Sequence, residues 1–186
     1  MTPLLTGVFA SQISGRLTVP DSGAMFPIAM ANVGSAGASF IEFASIPDTY
    51  KHLQIRCSIR GSANNYQLIR LNSDTASNYA YHYIYTTGST AYSAGSTSTS
   101  SMGFTDSTST ANILNSLVID ILDYTSTTKN KTLRGLGGFD TNSNGFISMN
   151  SGLWFKTPEK VTTIRFTPDT GTYAQYSQFA LYGIKG

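Results

Sequence analysis

The chain has 186 residues, 40% of them hydrophobic, which is enough to bury one sizeable core and short for two full domains. Charged residues make up only 12%, the formal net charge is +2, and Lys and Arg are scattered singly, so a basic nucleic-acid-binding face is excluded. Roughly a quarter of the residues are Ser or Thr, and with 17 Gly, 11 Tyr and 10 Phe the composition favours strands and turns over helices.

Residues 1–23 contain the small and polar run Ala10-Ser11-Gln12-Ile13-Ser14-Gly15 and the turn signal Pro20-Asp21-Ser22-Gly23, and are read as an N-terminal arm. Its apolar residues Leu4, Leu5, Val8, Phe9 and Ile13 come too early and too briefly to build a core. They are the candidate docking residues toward another subunit, with a frayed terminus as the alternative. The segment is short for a signal peptide and lacks the basic start of one, and no apolar run reaches transmembrane length, so no membrane insertion is expected.

From Met25 onward, short apolar stretches recur between Gly, Asn, Asp, Ser and Pro, and residues 24–186 are read as one antiparallel β-sandwich of jelly-roll type. The clearest strand is Lys51 to Arg60, where Leu53, Ile55, Cys57 and Ile59 alternate with polar residues. Cys57 is the only cysteine and reads as a small buried hydrophobe. Further strands are predicted at Ser39 to Phe43, Tyr66 to Leu71, Asn78 to Tyr85, Ser116 to Leu122, Lys131 to Phe139, Gly145 to Phe155, Val161 to Phe166 and Gln178 to Ile184. Such a number of strands is too many for one open sheet without curling. Between Thr86 and Thr110 the chain is rich in Gly, Ser and Thr, with little to bury except Tyr92, Met102 and Phe104, and a long exposed loop or hairpin is expected.

Residues able to do chemistry are few. His52 and His82 lie in no motif with a nucleophile or a metal-ligand spacing. Asp120 and Asp123 are the best carboxylate pair left after the turn residues Asp48, Asp74, Asp140 and Asp169, but three positions apart on a strand they point to opposite faces. Asp140-Thr141-Asn142-Ser143-Asn144-Gly145 matches the front of a calcium loop and lacks its closing Glu, Ser151 standing there instead, so a hairpin turn is expected. No catalytic residue, metal ligand or cofactor is therefore assigned. Tyr79, Tyr81, Tyr83 and Tyr85 alternate along one strand and share a face. That row could fill the core or a subunit interface, or it could stack sugars, in which case Tyr81, Tyr83, Tyr85 and Tyr92 are the candidate glycan-binding residues. Trp154 is expected in the core.

Several stretches together carry a resemblance. They are Ala10 to Gly15, Phe43-Ala44-Ser45-Ile46-Pro47-Asp48-Thr49-Tyr50-Lys51-His52-Leu53-Gln54-Ile55-Arg56, Leu71-Asn72-Ser73-Asp74 with Asn78-Tyr79, Ile119 to Tyr124, Lys131 to Gly135, Ser151-Gly152-Leu153-Trp154, and Phe179 to Gly186. The chain resembles a group of uncharacterised virion structural proteins of tailed bacteriophages across most of its length. The matching stretches are turns and core strands rather than reacting groups.

The resemblance implies a virion-surface protein made in the host cytoplasm, working beside other virion proteins. The leading expectation is a non-enzymatic, tail-associated fibre or adhesin subunit, a homo-oligomer and specifically a trimer, that attaches to a host-surface glycan through many weak copies. The alternatives are a capsid decoration protein and, more remotely, a polysaccharide-degrading enzyme. Deleting residues 1–20 should leave a folded domain by circular dichroism that no longer incorporates into particles; normal incorporation would refute the docking role of the arm.

Overall fold

The computed structural model describes residues 24–186, so the arm and its residues Leu4, Leu5, Val8, Phe9 and Ile13 lie outside the described part. The described chain is all β. Its strands are β1 (Met25–Asn32), β2 (Ile41–Phe43), β3 (His52–Ile59), β4 (Asn65–Leu71), β5 (Tyr79–Thr87), β6 (Thr90–Thr99), β7 (Met102–Ser107), β8 (Asn115–Ile121), β9 (Lys131–Asp140), β10 (Gly145–Trp154), β11 (Ile164–Pro168) and β12 (Gln178–Ile184).

They form two antiparallel sheets packed as a sandwich, an eight-stranded one ordered β1-β12-β3-β8-β9-β10-β5-β6 and a four-stranded one ordered β2-β11-β4-β7. Setting aside the hairpins β5–β6 and β9–β10 leaves β1-β12-β3-β8 facing β2-β11-β4-β7. The eight remaining strands then change sheet at every step of the chain except from β4 to β7, which pair with each other, and this is the double Greek key of a jelly roll. Both inserted hairpins join the same sheet beyond β8, so one sheet becomes twice as wide as the other.

The apolar alternation decides which way each strand faces. Leu53, Ile55 and Ile59 of β3, Leu117, Ile119 and Ile121 of β8, Ile69 and Leu71 of β4 and Ile164 and Phe166 of β11 meet between the sheets with essentially no exposure. Cys57 joins them as a free thiol whose burial pushes its pKa up, removing it from thiolate chemistry near neutrality. Trp154 is buried at the end of β10, stacked on Tyr79 at 6.3 Å between ring centroids. Its Nε1 donates to Asp74 Oδ2 at 2.8 Å, which satisfies the one polar atom of the indole.

Two segments differ from the sequence expectation. The stretch from Thr86 to Thr110 begins as the expected exposed hairpin, with Gly88 at φ 56 in the turn between β5 and β6. Its second half is β7, a strand of the small sheet with Met102 and Phe104 fully buried. Two apolar side chains suffice there because the opposing sheet is cut away beneath them. A Cβ on Gly135 would lie 2.5 Å from the Phe104 ring, and one on Gly152 would lie 2.7 Å from Met102 Sδ. The second difference is β1, which the sequence reading left unassigned. A register shift between Pro27 and Ala29 breaks the period-two pattern that would have marked it.

The close approach of β7 makes a stability test. Gly135→Ala should cost about 1–3 kcal/mol, the usual range for overpacking a core. Gly145→Ala, where a Cβ meets nothing nearer than 3.6 Å, should stay within about 0.5 kcal/mol. Urea unfolding of the two variants reads the difference.

Candidate functional site

The width mismatch between the sheets builds the site. β7 is an edge strand of the small sheet and packs across β9 and β10 and the near part of β5. The remainder of β5 and the whole of β6 extend past it. The inner face of that overhang is therefore not covered by a facing sheet.

The tyrosine row stands on this face. Tyr79, the first, is in the core, its hydroxyl donating to the carbonyl of Leu71 at 3.2 Å while accepting from the Leu71 amide at 3.1 Å. Tyr81 packs against the core, Tyr83 and Tyr85 are half-buried, and Tyr92 reaches the same face from β6, where it sits directly opposite Tyr85 and is 46% exposed. The rings run in series, with centroids 6.1 Å apart from Tyr81 to Tyr83, 5.6 Å from Tyr83 to Tyr85 and 5.0 Å from Tyr85 to Tyr92. Phe146 of β10 extends the ledge sideways, 5.6 Å from Tyr85 and 6.0 Å from Phe139 of β9. The four candidate residues named from sequence thus lie side by side, and the row changes from core to surface along one strand.

Where the ledge meets the edge of β7 there is a cavity of about 270 Å³. Tyr81 and Tyr83 form one wall, Tyr66 and Leu68 of β4 the other, and buried Ser148 and Asn150 of β10 lie at the floor, the serine donating to Asn150 Oδ1 at 3.1 Å. Tyr81 reaches over β7 because Gly103 has no side chain to block it; a Cβ there would stand 3.2 Å from the ring. Tyr66 and Tyr83 both line the cavity, and their side chains interact there. Burial, and after it the negative charge of Asp106, pushes Tyr66 up to about 12, so both phenols stay neutral and available for hydrogen bonding at physiological pH.

One carboxylate, Asp169, lines the cavity, and a second, Asp106, stands next to it beside Tyr66. Asp169 accepts from the Tyr66 amide through Oδ1 at 3.0 Å, and its own amide donates to the Tyr66 carbonyl at 3.1 Å. Asp106 lies opposite Tyr66 in the β4–β7 ladder, and its Oδ1 is buried without a hydrogen-bond partner. Burial, and then the charge of Asp169, pushes Asp106 up to about 6.

The sequence reading missed Tyr66, Phe146, Asp106 and Asp169 as parts of this place. Phe146 was visible in the alternation of its strand. Asp106 carried no signal, because its segment read as loop, and Asp169 read as a turn residue.

The other groups singled out from sequence lie elsewhere. His52 Nδ1 accepts from the Asp123 amide at 2.9 Å, and His82 is exposed on the outer face of β5. Asp120 accepts from Gln54 at 2.8 Å on the outer face of the large sheet. Asp123 lies past the strand end, held down to about 2 by Lys129 and Lys51 at 2.8 and 3.0 Å. Asp140 to Gly145 is a turn closed by its own backbone, with the Asn142 amide donating to Asp140 Oδ1 at 2.6 Å. Among the described residues no three His, Cys, Asp or Glu side chains are grouped so as to hold a metal ion. No family model, no curated protein and no solved structure matches the chain.

The raised Asp106 pKa has a consequence for stability. Between roughly pH 4 and 6 the folded chain keeps a proton that the unfolded chain releases, so this residue's contribution falls as pH rises through that window. Asp106→Asn should raise stability at pH 8 by about 1 kcal/mol, allowing for solvent screening of a partly exposed group, and make no difference at pH 3. Urea melts at the two pH values measure this, and an equal effect at both would refute it.

Proposed function

We propose that the chain is a structural subunit of a tailed-bacteriophage particle, and that it attaches to saccharides of the host surface through the tyrosine ledge and the cavity beside it. The observation that carries the attachment reading is the half-exposed aromatic row on a sheet face that no other described strand covers. Aromatic rings placed in series offer apolar surface for the C–H faces of sugars. The hydroxyls of Tyr66 and Tyr83 and the carboxylate of Asp169 offer the directional partners that orient a hydroxylated ligand. The virion setting rests on the stretches that resemble phage structural proteins.

The site is shallow, and affinity of a single copy should be weak. A dissociation constant of about 1 mM corresponds to roughly −4 kcal/mol, and attachment by a particle would come from many copies engaging at once. The groups at the site suit binding and orientation, and the reading assigns no turnover.

Titration of the isotope-labelled protein with a panel of bacterial surface-polysaccharide fragments tests the reading by nuclear magnetic resonance. Shifts should concentrate at Tyr81, Tyr83, Tyr85 and Tyr92. Tyr83→Ala should weaken binding about tenfold, close to 1.4 kcal/mol, while leaving the fold intact. Absence of binding across the panel, or binding indifferent to Tyr83→Ala, would overturn it.

A further inference from the structure

The outer face of the large sheet carries the least expected feature of the surface. Strand pairing places Val118 of β8, Leu136 of β9, Met149 of β10 and Ile84 of β5 side by side in one row across four neighbouring strands. Leu136 is 51% exposed, Met149 58% and Ile84 57%, and Ile147, one row away, is 52% exposed. Single exposed apolar residues are ordinary, but a contiguous set of large ones marks a surface that is covered in use.

We infer that this face is the contact between two copies of the chain, related by a two-fold axis that crosses β9 between Leu136 and Gly138. The commitment to a second copy comes from how the face complements itself. Under that axis each residue of β9 meets the one equally far on the other side of the midpoint. Leu136 then lies on Gly138 of the other copy, where the surface is hollow. No side chain can stand at Gly138, because a Cβ would meet the Phe146 carbonyl oxygen at 2.4 Å. By the same operation Met149 meets Ile147 and Val118 meets Ser116, since those pairs occupy the same two rows.

The charges agree with this placement. Arg134 stands three residues to one side of the midpoint and Asp140 three residues to the other, so each cation faces an anion of the second copy. Arg134 is free to take part, its side chain being 67% exposed and its contact with Asp120 a long 3.5 Å. The area is adequate too. Four strands roughly 4.8 Å apart, eight residues long at about 3.4 Å each, span on the order of 520 Å² per copy, so that the two copies together just clear the ~1,000 Å² expected of a specific interface. Packed sheets cross at about 30°, a geometry that keeps the central knob and hollow in register.

Light scattering of the full chain during size exclusion, at loading concentrations from 1 to 100 micromolar on the order of ordinary dimer affinities, tests the inference. The expected mass at the upper end is twice the 20.0 kDa of one chain. Leu136→Lys and Met149→Lys should each raise the dimer dissociation constant at least tenfold with an unchanged circular dichroism spectrum. Gln178→Lys, on an exposed position of β12 away from the patch, should not change it. A monomer throughout the range, a trimer, or a dimer that survives both lysine variants would overturn the proposal.

Discussion

Eight strands in one sheet face four in the other, and most of what is distinctive in this molecule follows from that inequality. A sheet buries its apolar face against another layer or leaves it to solvent. The jelly-roll half, β1-β12-β3-β8 over β2-β11-β4-β7, is balanced, and its core reads as aliphatic side chains meeting from both sides. The inserted hairpins β5–β6 and β9–β10 have no second sheet of their own. Among the described strands, β7, at the edge of the small sheet, is the one placed to cover them.

The chain meets this demand by thinning the wide sheet. Gly135 and Gly152 remove the side chains that would hold β7 away, and Phe104 and Met102 fill the space so made. Farther out, beyond the reach of β7, the inner face changes from Leu133 and Trp154 to Ser148, Asn150 and the tyrosines. Aromatic rings with polar tips are suited to that position, since each buries a broad apolar body while its hydroxyl remains at the water boundary. The ledge is thus a continuation of the core past the point where covering material ends. On the opposite face the same hairpins carry Leu136, Ile147, Met149 and Ile84, so both sides of the insertion present apolar surface.

Much of this was legible in residue order. Alternation with period two identified β3, β8, β9, β10 and β12 nearly to their ends, because each has one face in the core and one toward solvent, and burial imposes that period directly. The four tyrosines of β5 were recognisable as one face for the same reason, and Trp154 as a core residue from its burial tendency. β7 was not legible. Its two apolar residues sit at the end of a Ser/Thr-rich run, and the space they fill is created by glycines some thirty and fifty positions later in the chain. Asp106 and Asp169 were equally hidden, one in that misread segment and one in a turn; the pairing of β4 with β7 brings the first beside Tyr66, and that of β4 with β11 the second.

The sequence by itself determined the fold class, the facing of most strands and the existence of an aromatic row, because these depend on local periodicity and on how much apolar material the chain holds. Tertiary structure alone decided that Tyr79 is core while Tyr92 is surface, that Asp169 shares a cavity with Tyr66 and Tyr83 while Asp106 stands beside Tyr66, and that Val118, Leu136, Met149 and Ile84 form one row. Each of these depends on which strands become neighbours and on how far the small sheet reaches across the large one. Such long-range pairings are set by the global fit of two unequal sheets, and no window of residues along the chain contains them.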